Sequence, residues 1–324
     1  MSQIKSIWIQ HESINQDFIE NEIQLDSGVI CKIATNKITD NKLFIIRIFE
    51  KIDENKFHKK EFQGVSIELL QYPDFNEITF ILLDNELDEV FALFVENIYE
   101  AVKDLINENL VINQTIDSIA KWKKLFDKIK STLLTEEKQK GLVGELMFIN
   151  ECLTQGVTNE VIISNWFGPD FYNKDFIIEN KGFEIKTTTQ DRPTIKISSE
   201  QQLDKQDLDL LYLIQYVLEV IKSNGFTLPQ LINNIRENLT NNYSLKTIFE
   251  EKIIQTGYLE EDAIKYESKY KLVEKCIYLV NEDFPKITKS TLPKGIFNSV
   301  YNIEVLVIEK YKIDIQNNFN LIYG

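Results

Sequence analysis

The sequence predicts a mixed α+β chain: a β-rich amino-terminal module, a core in the order α-β-β-β-α-β, and a mainly helical carboxy-terminal extension. Three observations carry that prediction. Short β-branched and aromatic runs fill the first 80 residues. Apolar residues then recur at helical spacing from about Leu87 to Cys152. Beyond them, the strand-like runs Phe176-Ile177-Ile178 and Phe183-Glu184-Ile185 flank the polar turn Glu179-Asn180. The length of 324 residues accommodates one large domain or two ordinary ones. Boundaries are expected near 110 and 224, giving segments 1–110, 111–224 and 225–324.

In the first segment, SIWIQ, GVICKIAT, KLFIIRIF, VSIELLQY and EITFILLD read as strands separated by Asp, Asn, Lys and Gly. Val90, Phe91, Phe94, Val95, Ile98, Val102 and Leu105 then form one helical stripe, which Asp84 or Asn85 can cap. A second helix follows IDSIAKWKKLFDKIKSTL, with Ile116, Ile119, Trp122, Leu125, Phe126 and Ile129 on one face. Thr135 opens a third, which continues through Leu142, Leu146, Ile149 and Cys152. Gly141 and Gly144 cost this helix about 1 kcal/mol each and would let another backbone approach. Glu145 stands among its apolar residues. After the turn Gly168-Pro169-Asp170, strands are expected at 172–179, 183–189 and 194–198 as an antiparallel meander. Ser199-x-x-Gln202, or Ser198-x-x-Gln201, has capping-box form and predicts a short helix. LDLLYLIQYVLEVI predicts a buried strand at 208–219. In the extension, Thr227 and Pro229 open a helix through Gln230–Leu239. Ser244 is expected to cap LKTIFEEKIIQT, which Gly257 stops. YKLVEKCIYLV reads as a strand, NEDFPKITKSTLPKG as a loop, and YNIEVLVIEKYKI closes the chain.

Several function classes are excluded. Only His11 and His58 are present, so histidine zinc sites and Ser-His triads lack their parts. No G-x-x-x-x-G-K-[ST] or G-x-G-x-x-G occurs. Cys31, Cys152 and Cys276 are too scattered for a disulfide framework or a zinc site and are expected to pack inside. No long apolar run or signal pattern is visible, so a cytoplasmic location away from membranes is expected. The net charge of −15 argues at first against nucleic acid. Its distribution softens that objection: residues 51–100 hold 12 acids against 4 lysines, while residues 121–140 hold 7 lysines against 3 acids. Those lysines, at 121, 123, 124, 128, 130, 138 and 140, form either a phosphate-gripping patch or a solvated helix face.

What remains is a carboxylate–lysine site. In a strand, Glu184, Lys186 and Thr188 share one face and Phe183, Ile185 and Thr187 the other. Hairpin pairing would bring Asp175 beside Glu184. Two carboxylates and an ammonium at one spot are costly unless a divalent cation or a solvated cleft is present. That constellation suits metal-assisted phosphodiester cleavage.

Glu145 on a helix, Asp175 on a strand and Glu184-Ile185-Lys186 on the next resemble the PD-(D/E)xK nuclease superfamily. GLVGELMFI, NWFGPDFYNKDF, FEIKTT, ISSEQQL and FPKITKSTLPKGI more closely resemble a bacterial family assigned to it, of unknown function and often encoded in restriction or phage-defence clusters. The resemblance implies a restriction-endonuclease-like core and a Mg²⁺-dependent DNA endonuclease, with Mn²⁺ able to substitute. It implies that Asp175, Glu184 and the Ile185 carbonyl hold the ion, that Glu145 completes the shell, and that Lys186 orients the attacking water. The literal Pro-Asp is Pro169-Asp170, but Asp170 lies early for pairing with Glu184, so Asp175 is the first choice and Asp170 the second. Where the family often has His before this Asp, Lys174 stands here. Lys121, Lys123, Lys124, Thr188 and Gln202 are candidate DNA contacts, Gln202 also a candidate cap. Implied partners are DNA, protein subunits of a defence system and a second copy of the chain. The alternative reading is a catalytically silent DNA-binding or scaffold subunit.

Overall fold

A computed structural model of the chain describes residues 3–52, 60–62, 64–126, 133–170, 173–189, 193–240 and 242–313. The protein is α+β and divides into two compact units, residues 1–131 with 259–261 and residues 132–258 with 262–324. Residue 110 therefore lies inside the first unit and residue 224 inside the second.

The first unit opens with α1 (Gln3–Glu12). SIWIQ is thus helical, not the expected strand. Its buried residues Ile4, Trp8 and His11 recur at helical spacing, and the Trp8 indole donates to the Ala34 carbonyl at 2.9 Å. A five-residue apolar run cannot reveal its period, so packing decided. The antiparallel sheet comprises β1 (Phe18–Gln24), β2 (Ile30–Asn36), β3 (Asn41–Ile48), β4 (Lys60–Phe62), β5 (Val65–Gln71) and β6 (Asn76–Leu82), in the order β1-β2-β3-β6-β5-β4. β1 was not foreseen because its face is polar and largely exposed. Ile33, Phe44, Phe80 and Ile67 align across four strands. α2 (Asp88–Val102) and α3 (Glu108–Phe126) join that apolar side through Phe94, whose ring lies 5.5 Å from Phe80 and 5.2 Å from Trp122. Asp84 caps the turn before α2, accepting from Glu86 N–H at 3.0 Å.

The second unit is built on α4 (Glu136–Thr154), α5 (Asn159–Ser164) and the sheet β11-β10-β8-β7. Its strands are β7 (Phe176–Ile178), β8 (Lys181–Thr189), β10 (Leu210–Ile221) and β11 (Lys269–Leu279). β8 runs parallel to β10 and antiparallel to β7. The strand expected at 208–219 is β10, two residues later at each end. α6 (Leu228–Asn238) carries the full Thr227 capping box, and α7 (Tyr243–Thr256) ends on left-handed Gly257. α7 starts at Asn242, which accepts from Leu245 N–H at 3.1 Å, so Ser244 is not the cap.

Three further expectations change. β9 (Thr194–Ile197) leaves the meander and pairs with β12 (Tyr301–Glu304), which precedes α8 (Val305–Ile308). The predicted helix at Ser199 is only a turn over 200–203. And β11 completes the central sheet, so the segment after 224 is part of the core's framework, not an appendage. The reason is shared: β10 has two long apolar faces, and each needs a cover. Tyr212, Ile214 and Tyr216 face a cluster formed with α4, α6 and α7. Leu211 and Leu213 face another, formed with Ile195, Ile197, Ile303 and Phe284. All three cysteines are buried and unpaired. Among the described residues no helix is long and apolar enough to cross a membrane.

Candidate active site

The site starts from a two-residue turn. Glu179 and Asn180 have φ of 48° and 61°, the conformation of a tight type I′ hairpin. Asn180 is at ease there, and its carbonyl accepts from Asp209 N–H at 2.9 Å. The turn sets the register Ile178↔Lys181, Ile177↔Gly182 and Phe176↔Phe183. One step further along, Asp175 leaves the strand within reach of the Ile185 N–H and near enough for its charge to act on Glu184.

Asp175 lies just before β7. Its side-chain Oδ2 accepts from the Ile185 N–H at 2.7 Å, and its carbonyl accepts from Phe167 and Gly168 N–H at 2.7 and 3.1 Å. Successive peptide groups of a strand alternate sides, and a residue's N–H and C=O share one. The Ile185 carbonyl therefore also faces the Asp175 side, where β7 has already ended. Glu145 arrives from α4, which lies against the Phe183/Ile185/Thr187 face of β8. Gly144 makes the approach possible: a Cβ there would sit 2.6 Å from Thr187 Cγ2 and 3.2 Å from Ile185 Cγ2. Gly141 has no such neighbour, so only one of the two glycines serves close packing. The buried Trp166 indole donates to Glu145 Oε2 at 2.6 Å. Gly168 leaves room for two carboxylates at once, since a Cβ on it would collide with Glu145 Oε2 and stand 3.3 Å from Asp175 Oδ1.

Glu184 is only 1% exposed, and neither of its carboxylate oxygens accepts a hydrogen bond among the described residues. Lys186 Nζ is an ion-pair partner 2.8 Å from Oε1, and Oε2 is left without one. The same ammonium donates to Gln202 Oε1 at 3.2 Å, and that oxygen also accepts from Ser198 N–H at 2.7 Å. Gln202 thus steers the lysine and caps no helix.

The electrostatics follow from burial. It pushes the Glu184 carboxyl up to about 8, with Asp175 adding to the rise and Lys186 opposing it. Burial and then the Asp175 charge hold Glu145 well above the usual carboxylate range, against the Trp166 hydrogen bond. Asp175 is raised by burial, against Lys186 and the Ile185 N–H. Burial disfavours the Lys186 ammonium, but Glu184 and Asp175 outweigh it and its pKa is raised. A cation placed among these three carboxyls would favour their ionised forms and release the protons that burial retains.

The other sequence candidates fall elsewhere. Asp170 is turned to Lys252, 2.8 Å away, an ion pair tying α7 to the turn at 168–170. That pairing makes Asp175, not Asp170, the acid beside Glu184. The Thr188 hydroxyl accepts from Gln215 Nε2 at 2.8 Å and is half-buried. Lys121, Lys123 and Lys124 lie on α3 in the first unit; the first two are exposed, and Lys128, Lys130 and His58 lie outside the described residues. Two participants were missed. Trp166 gave no sign beyond its place in NWFGPD. Lys174 is buried, its ammonium donating to the carbonyls of Gln201 at 2.5 Å and Asn173 at 3.2 Å, and burial lowers its pKa. It ties the turn that carries Gln202 to the segment entering β7, where Asp175 sits.

The matching family model, described as "Putative PD-(D/E)XK family member, (DUF4420)", spans residues 4–306. The chain belongs to this family. No curated protein and no solved structure matches it. The family's fold class agrees with the α+β architecture here, and its superfamily consists generally of nucleases that use Mg²⁺. The donor set fits such an ion: carboxylate oxygens and a backbone carbonyl, with no nitrogen or sulfur, suit a hard divalent cation. Glu184, buried with Oε2 unpartnered and Oε1 held by the Lys186 ammonium alone, is the observation that asks for one. Among the described residues no three His, Cys, Asp or Glu side chains are drawn together tightly enough to hold an ion unaided. Here Lys186, the Ile185 amide and the Trp166 indole each engage one carboxylate instead.

Proposed function

We propose that this PD-(D/E)XK family member is a Mg²⁺-dependent DNA endonuclease acting in restriction or phage defence. The observation that carries the reading is Glu184, a buried carboxylate with Lys186 on one oxygen and no partner on the other, set beside Asp175 and Glu145. Asp175, Glu184 and the Ile185 carbonyl would hold the ion, with Glu145 completing the shell directly or through water. When bound, Mg²⁺ supplies Lewis-acid stabilisation of the charge that develops on a scissile phosphate. The chain's own groups do the remaining work. Lys186, steered by Gln202, orients a water and offsets charge on the phosphate. Trp166 and the Ile185 N–H keep Glu145 and Asp175 in place as second partners do at metal sites. The defence role rests on the family's genomic setting, and Mn²⁺ is expected to replace Mg²⁺.

Supercoiled plasmid and phage DNA, incubated with the purified chain and Mg²⁺ or Mn²⁺, test this. Nicking should stop with EDTA and fall by at least about a hundredfold in Lys186→Ala and Asp175→Ala, the range lost with one transition-state-stabilising group. A wild-type chain that cuts nothing, alone or with its genomic neighbours, would transfer the assignment to a binding or scaffold subunit.

A further inference from the structure

The segment from Pro285 to Val300 is irregular, and the proposed chemistry does not use it. It carries Lys286, Lys289 and Lys294 and no acid, in a chain of net charge −15. It also displays large apolar side chains: Ile296 is 54% exposed, Phe297 73% and Val300 61%. Solvated loops have no need of an exposed aromatic flanked by aliphatics, and such a cluster marks a contact surface.

This surface is tied to the carboxylate site. The backbone N–H groups of Asn298 and Ser299 donate to the Glu200 carboxylate at 3.3 and 2.8 Å. Glu200 lies two residues before Gln202, the partner of Lys186. At the segment's end, Tyr301 pairs with Ile197 across β12 and β9, and its hydroxyl accepts from Ile287 N–H at 3.1 Å. The Tyr301 phenol, raised mainly by burial, also feels the charges of Glu184 and Lys186. Buried Thr288 holds the middle: its N–H donates to Thr291 Oγ1 at 2.9 Å, and the Thr291 hydroxyl returns a bond to its carbonyl at 3.0 Å. Lys286 donates to the Asn281 and Glu282 carbonyls, whereas Lys289 and Lys294 are exposed.

We propose that the Pro285–Val300 segment grips the nucleic-acid substrate, with Lys289 and Lys294 on backbone phosphates and Phe297 against the face of a base. The inference rests on the phosphodiesterase reading above and adds where the substrate lies. Charge complementarity selects the occupant. A strongly acidic chain repels a polyanion, so productive contact is favoured on a segment that carries three lysines and no acid, with the neighbouring Glu200 carboxylate held by the Asn298 and Ser299 N–H groups. Base faces stack on aromatic side chains irrespective of sequence, which matches an exposed Phe without a built pocket.

The test uses the full chain, a labelled 30-base-pair duplex with a single-stranded overhang, and Ca²⁺ in place of Mg²⁺. Ca²⁺ takes the same oxygen ligands with looser geometry. Affinity is read by fluorescence anisotropy across a salt series, and plasmid nicking with Mg²⁺ is measured in parallel. Lys289→Ala with Lys294→Ala should lower the log–log salt slope by about 2, one for each phosphate the variant leaves without a lysine. Phe297→Ala should weaken binding about tenfold with the slope unchanged. Lys222→Ala with Lys271→Ala, two exposed lysines at the other end of the sheet, should alter neither. Matching thermal transitions verify that every variant is folded. If the wild type binds and cuts while the segment variants keep its affinity and slope, the segment is not the grip and the catalytic reading stands. If the wild type neither binds nor cuts, both fall together.

Discussion

At the residue scale, the site depends on two kinds of position: those that carry charge and those that make room for it. Gly168 belongs to the second kind. Alanine there would drive its Cβ into Glu145 Oε2, so the carboxylate would swing away and lose its Trp166 hydrogen bond. A flexible side chain yields cheaply, so the fold should survive. We expect Gly168→Ala to unfold close to the wild-type temperature but to bind Mg²⁺ about tenfold more weakly, or worse, by calorimetric titration. Unchanged affinity would show that Glu145 does not serve the ion. Asp175, Glu184 and Lys186 were legible in the sequence because strand alternation and a tight turn are short-range facts. Trp166, Lys174 and the steering role of Gln202 were not, since their partners are 21, 27 and 16 residues away.

At the element scale, the packing of α4 on β8 sets where Glu145 arrives. The two glycines of α4 separate local propensity from tertiary fit. Ala at Gly141 meets nothing within 4 Å and should gain the helix-propensity difference, about 0.5–1 kcal/mol. Ala at Gly144 makes the same local gain but drives a Cβ to 2.6 Å from Thr187 Cγ2, on a β-branched side chain with little freedom to yield. Overpacking of this kind costs about 1–3 kcal/mol, so Gly144→Ala should be the less stable of the two in urea unfolding, and less stable than wild type. The reverse order would mean that α4 can slide on the sheet. The helix α2 was readable from its apolar stripe, α4 and α6 from their Thr135 and Thr227 caps, and α7 from its Gly257 stop, although its cap is Asn242 and not Ser244. β9 was misassigned to the hairpin's sheet because its partner β12 begins about a hundred residues later, and no local pattern encodes a pairing at that range.

At the scale of the whole molecule, the buried acids link stability to pH. Glu184 titrates near 4.5 when unfolded and is pushed up to about 8 in the fold. Between these values the folded chain keeps a proton that the unfolded chain has released. Its contribution to stability is therefore fully present below pH 4.5 and lost as pH rises through 8. Glu145 and Asp175 are shifted in the same direction. The metal-free protein should thus melt at a lower temperature at about pH 8 than at about pH 6. Mg²⁺ should restore more at the higher pH, because a cation favours the ionised carboxylates. Calorimetric scans with EDTA and with Mg²⁺ measure both effects; a Mg²⁺ shift independent of pH would mean that the ion binds elsewhere.

The order of the amino acids alone was enough for the α+β class, the helical stripes, the Thr135 and Thr227 caps, and the tight turn that brings Asp175 towards Glu184. These are local properties, set by side-chain period, turn conformation and residue inventory. It took the folded chain to establish that SIWIQ is a helix, that Asp170 belongs to Lys252, that the carboxy-terminal segment supplies the edge strand β11 beside β10, and that Ser299 is tied to Glu200. Each of those depends on which distant surface a segment buries, and burial is a property of the assembled chain, invisible in any window of it.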